Sequence, residues 1–149
     1  MKLFVSSIIL LLFWNTDSVE SKGKYTFEIT ITTESMGSIN HIWLFTNKVI
    51  VVKENTNFRR EDIRVIENKL LKAKEKNILV SFLKRFPLKK LKRSYINGGV
   101  KDGWQVNFNI KIMNKSKKIH TSNYYQKDLG RLVRELNKLV TKKITYTDD

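Results

Sequence analysis

The sequence predicts an α+β domain: an antiparallel sheet of about five strands with two helices packed on one face, in the order β-β-β-α-β-β-α. Two runs of alternation carry the sheet and one helical stripe carries its cover. Tyr25, Phe27, Ile29 and Ile31 alternate with Thr26, Glu28, Thr30 and Thr32, which makes a strand apolar on one face only. Trp104, Val106, Phe108, Ile110 and Ile112 alternate in the same way with Gln105, Asn107, Asn109 and Lys111. Leu129, Leu132, Val133, Leu136, Leu139 and Val140 instead follow helical spacing, and such a stripe must cover an apolar surface. The row from Trp104 to Ile112 is that surface.

Between these anchors the elements follow in order. After the turn Ser35-Met36-Gly37-Ser38, the segments His41 to Phe45 and Lys48 to Lys53 read as two strands joined tightly at Thr46-Asn47, because Asn tolerates left-handed backbone. Val49-Ile50-Val51-Val52 is apolar on both faces, so a helix is expected over one of them. Glu54 to Asn57 is a polar surface loop, and Arg59 to Leu70 fits strand and helix spacing equally. From Lys72 to Phe86 a helix is expected, with Ile78, Leu79, Phe82, Leu83 and Phe86 on its buried face and Pro87 ending it. Ser94-Tyr95-Ile96-Asn97-Gly98-Gly99-Val100-Lys101-Asp102-Gly103 is turn-rich punctuation, its glycines permitting left-handed backbone before Trp104 opens the strand as its first buried anchor. No helix follows those glycines, so they do not form a phosphate cradle. Trp104 to Met113 pairs with Lys118 to Ser122 across a four-residue loop, Asn114 to Lys117. Lys127 to Lys142 forms the closing helix, with Asp128 at its positive end.

Residues 1–21 stand apart from this domain, which occupies 22–149. Lys2 precedes the apolar run Leu3 to Trp14, and a polar stretch with small residues, Asn15 to Ser21, follows it. That order is the pattern of a secretory signal peptide, cleaved near Ser18 or Ser21. The run is too short for a membrane span, which needs about 20 apolar residues. The expectation is therefore an exported protein, periplasmic or extracellular in a bacterium, with no transmembrane segment once the leader is removed. The chain has no cysteine, so it lacks disulfides, thiol chemistry and thiolate metal sites, and its core must hold by packing.

The formal charge of +15 becomes +16 without residues 1–21, since Lys2 is outweighed there by Asp17 and Glu20. Such a surface attracts anions. The charge is mostly Lys, which also accumulates in AT-biased coding sequences and recognises phosphate less specifically than Arg. An acidic protein or an anionic envelope glycolipid is the expected partner. Nucleic acid is disfavoured by the exported address and by the commitment of Trp104 and Phe108 to the core.

The expected ligand-binding residues are Lys89, Lys90, Lys92 and Arg93, the densest basic run, together with Asp102, His120 and the tripeptide Asn123-Tyr124-Tyr125. The tripeptide equally suits a helix entrance, with Asn123 or Asp128 capping free amides. His41 and His120 are the only histidines, and neither has a partner at metal-ligand spacing, so no metal site or cofactor is expected. No catalytic residue is assigned. The leading expectation is a non-enzymatic binding domain. The alternative is a small basic ribonuclease, with His120 as acid, Glu28 or Glu34 as base, and Lys and Arg holding phosphate. One structural observation separates the two: His41 or His120 in a concave pocket beside a carboxylate and two basic groups favours the enzyme.

Over the last third of the chain the order "YINGGVKDGWQVNFNIKI", "KKIHTSNYY", "LGRLVRELNKLV" resembles small exported bacterial envelope proteins of unknown function. The resemblance implies a DG turn into an alternating strand, a hairpin return and a closing helix. It carries over no catalytic residue. Members of that group often have a lipid-acceptor cysteine, which this chain lacks.

Overall fold

The structure, a computed structural model, describes residues 24–35, 37–57, 62–100 and 103–146. Residues 1–21, Arg59-Arg60 and Asp102 lie outside the described residues. Among the described residues the fold is α+β, with two α-helices and one mixed sheet of seven strands rather than about five. The strands are β1 (Phe27–Ser35), β2 (Ser38–Thr46), β3 (Val49–Asn55), β4 (Ile63–Leu70), β5 (Ser94–Ile96), β6 (Gln105–Ile112) and β7 (Lys115–Ser122). The helices are α1 (Ala73–Leu83) and α2 (Lys127–Asn137). Across the sheet the order is β4-β3-β2-β1-β6-β7-β5, antiparallel throughout except for β5 beside β7.

The two additional strands are the ones with the weakest local signal. β4 is an edge strand whose Ile63, Val65, Ile66 and Leu70 are exposed, so burial imposes no alternation on it. A bulge against β3 between Val52 and Lys53 shifts its register as well. β5 has three residues, too few for a period to register.

Alternation elsewhere gives the expected result. Phe27, Ile29 and Ile31 of β1, Trp43 and Phe45 of β2, Ile50 and Val52 of β3, and Val106, Phe108, Ile110 and Ile112 of β6 are buried in one core cluster. Leu79 and Leu83 of α1 and Leu129, Leu132, Val133 and Leu136 of α2 belong to the same cluster. The helices lie antiparallel. Leu79 shares a hollow with Leu139 just past the end of α2, and Phe82 and Phe86 share another with Asp128 and Arg131 at its start.

Several details differ from expectation for identifiable reasons. α2 stops at Asn137, whose side chain is held to the backbone of Ile144 by two hydrogen bonds, Nδ2 to the carbonyl (2.9 Å) and the amide to Oδ1 (2.8 Å). Leu139 and Val140 are therefore buried by a tail, which also buries Ile144 and Tyr146. At the start of α2 the capping acceptor is Gln126, through its Oε1 to the Leu129 amide at 2.8 Å, not Asn123 or Asp128. The β6–β7 connection is the two-residue turn Met113-Asn114, with Met113 at φ 54°, and Lys115 to Lys117 belong to the strand. At the β2–β3 turn Asn47 clamps β1 instead of adopting left-handed backbone: its amide accepts from Phe27 N and donates to Tyr25 O, both at 2.6 Å.

The glycines of the turn-rich stretch also act differently than expected. Gly98, Gly99 and Gly103 have ordinary backbone angles, and Asn123 takes the left-handed conformation at φ 49°. Gly103 is needed for space, because a Cβ there would stand 1.6 Å from Oδ1 of Asn123. Gly103→Ala must expel that half-buried side chain, and a loss of about 1–3 kcal/mol is expected from the overpacking, measured by urea unfolding. The double variant Gly103→Ala/Asn123→Gly should recover most of it.

Candidate functional site

Antiparallel register sets the site. On the helix-covered face Thr33 lies opposite His41, His41 opposite Glu54, and Glu54 opposite Arg64, one transverse row across β1 to β4. The next row inward, Ile31, Trp43, Val52 and Glu67, is the start of the core. The polar row thus sits where helix cover ends, and it lines a cleft of about 680 Å³.

The tail after α2 forms the facing wall. Trp43 Nε1 donates to the carbonyl of Lys142 at 2.9 Å, and the Thr141 amide donates to Glu67 Oε2 at 3.0 Å. These two bonds carry Lys142 and Lys143 to the cleft, where Trp104 adds a half-exposed aromatic edge resting on Tyr146. Burial alone would raise the carboxyl pKa of Glu67, but hydrogen bonds from Thr141, Lys69 and Lys142 hold it below the usual value. Burial is also the main reason that the Tyr146 hydroxyl, inside this wall, is pushed up to about 12.

At the centre Glu54 is shared by three cationic or titratable groups. His41 Nε2 is 3.1 Å from Oε1, Lys142 Nζ 3.9 Å from Oε1, and Arg64 Nη2 3.7 Å from Oε2. The imidazole also stacks on Trp43 with ring centres 5.2 Å apart. Burial first, and then Lys142, lower the His41 pKa below its ordinary value, with Glu54 opposing them. Those influences favour the neutral ring. In that state Nε2 donates to Glu54, and Nδ1 carries the lone pair. Among the described residues no three histidine, aspartate or glutamate side chains gather as a metal site.

The sequence-predicted residues lie elsewhere. Arg93 and His120 meet on the opposite, uncovered face of the sheet, lining a shallow concavity of about 300 Å³. Lys89, Lys90 and Lys92 are exposed along the segment between α1 and β5, which Leu88 and Leu91 anchor in the core. Asn123, Tyr124 and Tyr125 stand at the α2 entrance: Asn123 against Gly103, Tyr124 stacked on Tyr95 at 5.6 Å, and Tyr125 against Gly130 and Tyr146. None of the three lines the cleft, and Tyr124 adjoins the basic run through Tyr95, whose hydroxyl accepts from the Lys92 amide at 2.8 Å.

Glu54, Arg64 and Lys142 were not expected at a site, since they read as a loop residue, an ambiguous segment and a helix end. A signal existed for the first pair. The β2–β3 turn is Asn47-Lys48, one residue later than the spacing suggests, and that register sets Phe45 opposite Ile50 and His41 opposite Glu54. No family model matches the chain, and no curated protein is significantly similar to it.

Proposed function

We propose that the protein is an exported binding domain that takes the anionic group of an envelope partner into the cleft beside His41. The observation that supports this is the convergence of Arg64 and Lys142, both beside Glu54, on a concave surface edged by Trp104. Guanidinium and ammonium groups hold a carboxylate or phosphate, and the half-exposed indole of Trp104 packs against what carries it. A glycolipid headgroup and an acidic side chain of a protein share that chemistry. The leader-like residues 1–21 and the envelope-protein resemblance of the last third of the chain supply the address.

A second reading has its own observation. His41 beside Glu54, Arg64 and Lys142 is the arrangement that favours a small basic hydrolase, with His41 Nδ1 as general base and the cations stabilising a phosphorane. Binding stands ahead of it because Lys142 and Arg64 each engage one oxygen of Glu54, which holds that carboxylate back from proton transfer.

Titration of the full chain with inorganic phosphate, followed through the indole signals of Trp43 and Trp104, tests the binding reading. Saturable shifts are expected, weakened at least tenfold in Arg64→Glu/Lys142→Glu; no shift at millimolar phosphate overturns it. The pH dependence separates the two readings. Anion binding favours the protonated ring, so affinity should rise as pH falls through the depressed His41 pKa. A general base must be neutral, so hydrolysis of a fluorogenic RNA should fall over that same window and vanish in His41→Ala.

A further inference from the structure

The face of the sheet that the helices leave uncovered is organised differently on its two halves. On β2 and β3 it presents Ile42, Leu44 and Val51, and on β1, β6 and β7 it presents polar and charged side chains, with Lys111 and Lys118 among the basic ones and the carboxylates of Glu28 and Glu34 toward the two ends of β1. Register sets these in two rows, Ile42-Thr32-Asn107-His120 and Leu44-Thr30-Asn109-Lys118. Arg93 closes the far side, its carbonyl bonded to the His120 amide at 2.9 Å. Asn is a poor strand former, yet Asn107 and Asn109 both occupy β6, an interior strand.

One hydrogen-bond chain fixes the chemistry of this surface. Asn107 Nδ2 donates to Glu34 Oε1 at 2.8 Å, and a carboxylate accepts only, so the amide orientation is determined. Its Oδ1 then faces His120 Nδ1 at 2.8 Å and requires that nitrogen to carry the hydrogen. Nε2, the other ring nitrogen, is left for a hydrogen bond outside this chain of contacts.

We propose that this face binds an acidic polysaccharide. Thr30, Thr32 and Asn109 each offer both donor and acceptor groups, and His120 Nε2 offers one more hydrogen-bonding position, which suits a surface of sugar hydroxyls. Arg93 and Lys118 flank them and meet the acid groups of the polymer. Ile42 and Leu44 alongside give the C–H faces of the sugar rings an apolar contact. The two rows carry no phenylalanine, tyrosine or tryptophan, the broad stacking platforms that single-stranded nucleic acid uses. The surface is shallow and extends across several strands, which fits a polymer better than a compact small molecule.

Fluorescence anisotropy of the full chain with labelled oligogalacturonate is the test, with dextran, poly-uridylate RNA and anionic phospholipid vesicles as the other arms. Oligogalacturonate should bind more tightly than all three, and Arg93→Glu/Lys118→Glu should weaken it at least tenfold. Thr30→Val, which keeps the volume and removes one hydroxyl, should weaken it severalfold without loss of thermal stability, so the result does not hang on the charge reversals folding. The cleft variant Arg64→Glu/Lys142→Glu should bind the oligosaccharide unchanged, which separates this surface from the cleft. Equal binding of dextran, tighter binding of RNA or vesicles, or loss in the cleft variant alone overturns the proposal.

Discussion

Trp43→Ala is expected to destabilise the protein by about 3–5 kcal/mol, read from the midpoint of urea unfolding at unchanged slope. Trp43 is 2% exposed in the middle of β2, so truncation removes a large apolar body and leaves a cavity that the rigid sheet cannot close. It also deletes the indole donor to the Lys142 carbonyl and the platform under His41. Trp43→Phe separates these effects in part, because it keeps an aromatic ring of smaller volume at the site and deletes the donor. A cost nearer 1 kcal/mol is expected for it, together with weakened phosphate binding as the tail carrying Lys142 loosens. If Trp43→Phe binds phosphate as the wild type does, the tail is held by Glu67 alone.

Leu132→Ala is expected to cost about 2–5 kcal/mol, while Ile78→Ala stays within about 0.5 kcal/mol of wild type. Both positions belong to helical apolar stripes, and by pattern they are equivalent. Leu132 is completely buried between α2 and the sheet, whereas Ile78 on α1 is 54% exposed. Differential scanning calorimetry on the pair measures the difference directly. Comparable losses at the two positions would mean that α1 covers the sheet more fully than its packing indicates.

That contrast marks the boundary of what pattern reveals. A stripe states that a helix has an apolar side, but its width relative to the partner surface is set by how two helices divide one sheet face. α2 is buried along its whole stripe, and α1 beside it contributes Leu79 and Leu83 fully and leaves Ile78 at the margin. Trp104 shows the same at the end of a strand: it continues the alternation of β6, yet it lies beyond the last covered row and is 37% exposed.

Local chemistry was enough for the α+β class, for the inward rows of β1 and β6, and for both helices, because burial on one side writes a period of two or of helical spacing into the chain. It was not enough for β4, an exposed edge that burial does not pattern, or for β5, which is shorter than any period. The cleft is the product of register. Thr33, His41, Glu54 and Arg64 come from four strands and meet because one turn places Phe45 opposite Ile50, and Lys142 joins them because two hydrogen bonds hold the tail there. Alternation tells which face a side chain takes. Only the folded pairing tells which side chains it meets, since neighbours across a sheet are set by turn length and strand order and leave no periodic trace in any one strand.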